Sequence, residues 1–188
     1  MTAPRVVLGV AGASGAALAL AVARGLRVRG VETDLVVSRA AERTLAAELG
    51  PDALAGLRAL ATRSHSVGDV GASIASGSVP VAGMIVAPCS MRSLAAIAHG
   101  FDDSLLTRAA GVQLKERRPL VLIAREAPLT AAHLRNMLAV TELGGIVFPP
   151  VPAFYLGLPS LEAAVEQIAA RAIDLLRLGP AQARQWDG

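Results

Sequence analysis

The 188-residue chain has one cysteine, Cys89, and one lysine, Lys115, against seventeen arginines. A lone cysteine excludes an internal disulfide and any multi-cysteine metal centre. The three histidines, His65, His99 and His133, are far apart and make no ligand pair at helical spacing. Zinc and iron therefore lack a ligand set, and a metal-free protein is expected. Aromatics are 3% of the residues, which leaves nothing to build an aromatic cage around a planar ligand. The net charge of +3 is mild and its arginines are dispersed, without the aromatic-interleaved basic stripe that suits nucleic acid. No apolar run approaches the ~18 residues of a membrane span. The apolar stretch after Arg5 is split by glycines and followed by Arg24, Arg27 and Arg29, unlike a secretory leader. A cytoplasmic protein with no membrane and no nucleic-acid partner is expected.

What is present is apolar and regular. Hydrophobic residues make up 53% of the chain, enough for a full core, and residues 1–188 read as one domain. Strand-like runs fall at Val6 to Ala11, Glu32 to Val37, Met84 to Ala87, Leu120 to Ala124 and Ile146 to Phe148. Helical patterns cover Ser14 to Arg29, Arg39 to Glu48, Met91 to Ala98, Ser104 to Lys115, Thr130 to Leu143 and Leu161 to Leu178. Such alternation predicts an α/β fold, an open parallel sheet with helices on both faces. Ligands of these folds bind beyond the carboxyl ends of the strands. The informative residues are then Gly12 to Gly15, Ser38, Pro88 to Ser93 and Arg125-Glu126. Between Gly50 and Pro80 the pattern is irregular, and its tail, GDVGASIASGSVP, reads as a loop, either functional or a plain connection. The proline-rich FPPVPAFYLGLPS is too stiff for a helix or central strand, and can hold a side chain over a pocket.

The first turn, Gly12-Ala13-Ser14-Gly15, joins a buried strand to a helix start. Free N–H groups and the helix dipole favour an anion there, and phosphate is the guest this suggests; tight helix–sheet packing is the alternative. Glycines at 9, 12 and 15 do not make the dinucleotide fingerprint, and the second strand ends in Ser38 rather than an acid. In APCSMRSL, Ser90 and Ser93 sit where an N-cap and its neighbour offer hydroxyls. Cys89 has no histidine placed to activate it and reads as a small buried hydrophobe rather than a nucleophile. Arg108 and Lys115, two helical turns apart, share a helix face. Arg125-Glu126 directly follows an apolar strand at the ligand-binding edge. Tyr155 and Arg171 taken alone read as a half-buried phenol and a solvated helix arginine.

Together these segments resemble the flavin prenyltransferase family, the UbiX-like proteins. The resemblance rests on GASGA from Gly12, VSRAAERTL from Val37 with the later Glu48, ASGS from Ala75, PCSM from Pro88, LLTRAA, LKERRPLVL, REAPL and PPVPAFY. Several distinctive motifs in one order span nearly the whole chain. The resemblance implies a flavodoxin-like, Rossmann-like three-layer αβα fold assembled as a dodecamer. It also implies a metal-independent transferase that attaches the dimethylallyl group of dimethylallyl phosphate to N5 and C6 of reduced FMN. The prenylated FMN would serve a UbiD-type decarboxylase.

Carried over by position, the resemblance implies FMN contacts from Gly12, Ala13, Ser14, Ser38, Ser90, Met91, Arg92, Ser93 and Arg125. The donor would meet Arg108, Lys115, Tyr155 and Arg171, and Ser14, Glu48, Lys115 and Glu126 would take part in catalysis. Two positions depart from the family pattern. Val79 stands where an aromatic often follows ASGS, and Arg92 where a lysine often follows PCSM. Two other readings use the same fold: a non-catalytic FMN carrier, and a flavin-dependent cysteine decarboxylase, which needs a histidine base and an asparagine-bearing loop in place of PCSM. A nicotinamide oxidoreductase is disfavoured by the glycine spacing.

Overall fold

A computed structural model describes residues 3–186. Six strands form one sheet: β1 (Arg5–Val10), β2 (Glu32–Val37), β3 (Arg63–His65), β4 (Gly83–Cys89), β5 (Leu120–Ala124) and β6 (Ile146–Val147). Their order is β3-β2-β1-β4-β5-β6, and every neighbouring pair is parallel. Seven α-helices cover the sheet: α1 (Ala16–Val28), α2 (Arg39–Leu49), α3 (Ala53–Leu60), α4 (Met91–Ala98), α5 (Leu105–Lys115), α6 (Ala131–Glu142) and α7 (Leu161–Asp174).

The central strands are apolar on both faces because both faces are covered. Leu8 and Val10 join Leu18, Val22, Leu26 and Ile173 on the side of α1 and α7. Val7, Met84 and Val86 join Leu94, Leu105 and Leu106 on the side of α4 and α5. Helix starts carry the expected caps. Ser104 with Thr107, and Thr130 with His133, form reciprocal capping boxes at α5 and α6. Among the described residues no helix is long and apolar enough to cross a membrane.

The irregular stretch from Gly50 to Pro80 holds more structure than its composition suggests. It contains α3, the edge strand β3 and a 3-10 turn at Ser73–Ala75 that buries Ile74. A buried ion-pair network fastens it to the sheet. Asp34, fully buried on β2, pairs with the guanidinium of Arg5 and with His65 Nε2 at 2.7 Å, and Arg5 also donates to Ser73 at 3.1 Å. Burial pushes the Asp34 carboxyl up, but Arg5 and His65 more than offset this and hold it below its ordinary range. At the other end of the chain α7 stops at Asp174, short of the expected Leu178, and the backbone turns through Arg177 at φ 56°.

Candidate functional site

The sheet order reverses between β1 and β4, and a crevice at the carboxyl ends there is where α/β folds bind ligands. Backbone bonds draw the loops at this edge together. Ser38 N–H donates to the Val10 carbonyl at 3.0 Å, Ala11 N–H to the Pro88 carbonyl at 3.1 Å, and Arg125 N–H to the Cys89 carbonyl at 3.1 Å. The GASG turn, Ser38, the SMRS turn and Arg125 thus lie side by side at the carboxyl edge of the sheet.

At the GASG turn the N–H groups expected to face an anion meet a carboxylate of the protein itself. Glu48, near the end of α2, reaches back to the start of α1. Its carboxylate accepts from Ala16 N–H at 2.7 Å and from Gly15 N–H at 3.0 Å. Burial raises the Glu48 carboxyl, but the Ala16 N–H, the Ser14 hydroxyl, the Gly15 N–H and the charge of Arg125 together leave it below its ordinary value. Two glycines make this approach possible. A Cβ on Gly12 would lie 2.3 Å from the Ala40 Cβ, so only glycine lets α2 press so close. Gly15 adopts φ 109°, which side chains rarely tolerate, and this turns its N–H toward the carboxylate. The first helix start therefore carries an internal anion, and Ser14, Glu48 and Arg125 form one group.

The amino ends of α2 and α4 are each capped by a serine hydroxyl. Ser38 caps α2, accepting from Ala41 N–H at 3.2 Å. Ser90 caps α4, accepting from Ser93 N–H and donating to the Ser93 hydroxyl, both at 3.2 Å. The first N–H groups of α4, on Met91 and Arg92, have no acceptor within the helix. Met91 and Ser93 are buried, while the Arg92 side chain turns outward to pair with Asp103. Cys89 is fully buried, and burial pushes its thiol up to about 12, as an inert core residue requires. Glu126 is exposed beside Arg125, its carboxylate accepting from Ala127 N–H at 3.1 Å.

The remaining candidates lie apart from this crevice. Arg108 pairs with Asp102 at 2.9 Å, and Lys115 pairs with Glu116 close to Gly77. Arg118, a turn beyond, donates to the carbonyls of Gly77 and Val79 at 2.6 and 2.9 Å. These segments lead into the first residues of β4 and β5, so Lys115 sits at the amino edge of the sheet. A single chain does not bring it to Arg125. Tyr155 and Arg171 do come together, across a cavity of about 470 Å³ that is also bordered by Phe148, Gln167, Arg184 and Trp186. Sequence reasoning missed Gln167, Arg184 and Trp186. The available signal was a lone tryptophan near the end of an aromatic-poor chain.

The sequence model of the family described as Flavoprotein matches residues 1–172. The flavin prenyltransferase UbiX of Neisseria meningitidis is 49% identical over 184 residues, covering 98% of this chain and 97% of its own. The chain belongs to the flavin prenyltransferase family. Its fold is that of the solved structure of AnUbiX in complex with FMN and dimethylallyl pyrophosphate, with TM-score 0.94 and 46% identity. That match covers 100% of this chain and 99% of the other. A dodecameric FMN-dependent UbiX-like decarboxylase from Escherichia coli O157:H7 matches with TM-score 0.92 and 44% identity, covering 98% and 100%.

Within this flavin prenyltransferase the two departures have clear surroundings. Arg92 is held by Asp103 on the outer side of α4, so the positive charge at this position is kept and is paired. Val79 is anchored through its carbonyl by Arg118, beside the Lys115 segment rather than the crevice.

Proposed function

We propose that the crevice at the β1/β4 reversal binds reduced FMN and that an assembly of chains transfers a dimethylallyl group to it from dimethylallyl phosphate. One observation carries this reading: Ser14, Glu48 and Arg125 are gathered beside two serine-capped helix amino ends, in a chain nearly half identical to flavin prenyltransferases. The residues present fit FMN. Since Glu48 fills the start of α1, the phosphate of FMN goes to the start of α4, where the Met91 and Arg92 N–H groups and the Ser90 and Ser93 hydroxyls converge. Ser38, Arg125, Gly12 and Ala13 border the same space. When bound, reduced FMN supplies nucleophilic N5 and C6.

The side chains then handle the leaving group and protons. The C–O bond of dimethylallyl phosphate breaks with its electron pair moving to the phosphate. Lys115, Arg171 and Tyr155 stabilise that growing charge, with Arg108 near Lys115 on the same helix face. Cationic side chains take the place that a metal holds in diphosphate chemistry. Glu48 fixes Ser14 beside the reacting edge, and Glu126 shuttles protons as the second bond forms, giving one to the prenyl double bond and taking the one that leaves C6.

Because Lys115 lies at the opposite edge of the sheet from Arg125, a complete site needs Lys115 from a neighbouring subunit. A dodecamer supplies such contacts, and exposed Phe101, Leu134, Leu138 and Phe154 offer apolar surface to bury between copies. A UbiD-type decarboxylase would consume the product in the cytoplasm. The second reading, a non-catalytic FMN carrier, gains only from the incompleteness of the site in a lone chain. Phosphate release separates the two: metal-free protein with reduced FMN and dimethylallyl phosphate should liberate inorganic phosphate. No release above a protein-free control would leave the carrier reading.

A further inference from the structure

The mostly buried guanidinium of Arg118 spends both its terminal nitrogens on one loop, donating to the Gly77 carbonyl at 2.6 Å and the Val79 carbonyl at 2.9 Å. The way α5 ends puts it there. Arg117 N–H donates to the Leu114 carbonyl at 3.1 Å and Arg118 N–H to the Gln113 carbonyl at 2.9 Å, the two bonds that close a helix around a left-handed residue. That residue is Arg117, at φ 57°, where glycine is usual. Backbone strain is accepted to turn Arg118 back toward the last turn of α5.

The loop that Arg118 holds is itself well braced. Ser73 just before it accepts from Arg5 at 3.1 Å, and the Ser76 and Ser78 hydroxyls bond each other at 2.8 Å. At Gly77 there is no space to spare. A Cβ there would lie 2.1 Å from Glu116 Oε1 and 2.6 Å from Lys115 Nζ. The loop backbone is therefore pressed against the Lys115–Glu116 pair, and the Glu116 carboxylate stands between Lys115 and Arg118, 4.0 Å from the latter. We propose that Arg118 is a positioning residue for the transfer, clamping residues 76–79 onto the end of α5 and so fixing where the Lys115 ammonium points. Loop and lysine then form one unit, and a subunit that lends Lys115 to its neighbour lends it already oriented. This rests on the prenyltransferase reading, in which Lys115 meets the charge growing on the departing phosphate. Arg118 acts only through Lys115, since its own donors are taken by the loop.

The test compares Arg118→Ala, Arg118→Lys and Gly77→Ala. Gly77→Ala keeps the clamp, but its methyl displaces the Lys115 and Glu116 heads; these are flexible, so the fold should hold. Lys115 acts as the C–O bond breaks, so kcat for phosphate release should fall about 10- to 100-fold in Arg118→Ala and in Gly77→Ala, with a smaller change in KM. Arg118→Lys keeps the charge without the rigid fork and should lose nearly as much. Unchanged kcat in Arg118→Ala or Gly77→Ala, or full activity in Arg118→Lys, overturns the proposal. A second arm needs no turnover. Lys115 is the chain's only lysine, so reductive methylation with isotope-labelled formaldehyde gives a single lysine signal by carbon NMR and keeps the charge. In the wild type this signal should stand apart from that of free dimethyllysine, and both Arg118→Ala and Gly77→Ala should move it. A signal unmoved in either variant overturns the clamp whatever the fate of the flavin. A wild type that releases no phosphate counts against the prenyltransferase reading instead.

Discussion

The Glu48 carboxylate caps the amino end of α1, 2.7 Å from the Ala16 nitrogen and 3.0 Å from that of Gly15. One internal charge thereby satisfies the helix start and ties the Ser14 loop to α2. Loop geometry and the charge at this edge both pass through it.

Glu48→Gln should therefore cost stability in a pH-dependent way. The folded carboxyl lies below its ordinary value of 4.5, so its contribution is present above that pH and lost as pH falls through the folded value. Near neutrality the loss should be about 1 kcal/mol, low in the charge-assisted range because the side chain is exposed. Urea unfolding at pH 7 and pH 3 checks this: the wild-type and variant curves should converge in acid. A gap independent of pH would show that the charge is not what matters.

Asp34→Ala should be far more damaging. It leaves Arg5 and His65 without their buried partner and frees the edge strand, a loss of about 3–5 kcal/mol. Denaturant midpoints measure the loss. FMN affinity, read by flavin fluorescence below the transition, should hold because the network lies away from the crevice.

That network also explains what the sequence concealed. β1, β2, β4 and β5 are long and apolar, and their periodicity is plain; α1, α4 and α5 begin and end within two residues of expectation. β3 is only Arg63-Ser64-His65, a polar tripeptide that becomes a strand because Asp34, far away in sequence, binds His65. The meeting of these turns at the carboxyl edge was legible because each follows a strand. The guest of the first turn was not, since Glu48 arrives through the packing of α2 against Gly12. Shared helix phase links Arg108 and Lys115, but only topology reveals that Lys115 faces the other edge. Trp186 depends on a tail gripped by Gln167 and Asp174, a pairing that no local pattern encodes.

The phosphate site at α4 predicts that Ser90→Ala and Arg125→Ala each weaken FMN. Loss of one charge-assisted contact should raise the dissociation constant about tenfold. Riboflavin, lacking the phosphate, should bind weakly to the wild type and be indifferent to Ser90→Ala. Equal affinity for FMN and riboflavin would remove the phosphate site from α4.

If Lys115 and Arg125 of one working site come from different chains, two inactive variants should rescue each other. Lys115→Ala and Arg125→Ala subunits, unfolded together and reassembled, should regain about a quarter of wild-type activity, the share of sites drawing both intact residues by chance. Each alone should stay inactive. No recovery in verified mixed assemblies would mean that both residues act from one chain.

Mass spectrometry of the flavin tests the central claim most directly. Protein incubated anaerobically with reduced FMN and dimethylallyl phosphate, without added metal, is denatured and its flavin extracted. The account predicts a flavin heavier by one five-carbon unit, formed by the wild type and lost in Arg171→Ala, while Glu126→Gln gives the same added mass with the flavin attached at one atom only. Unmodified FMN after long incubation, with either the monophosphate or the diphosphate donor, would contradict it.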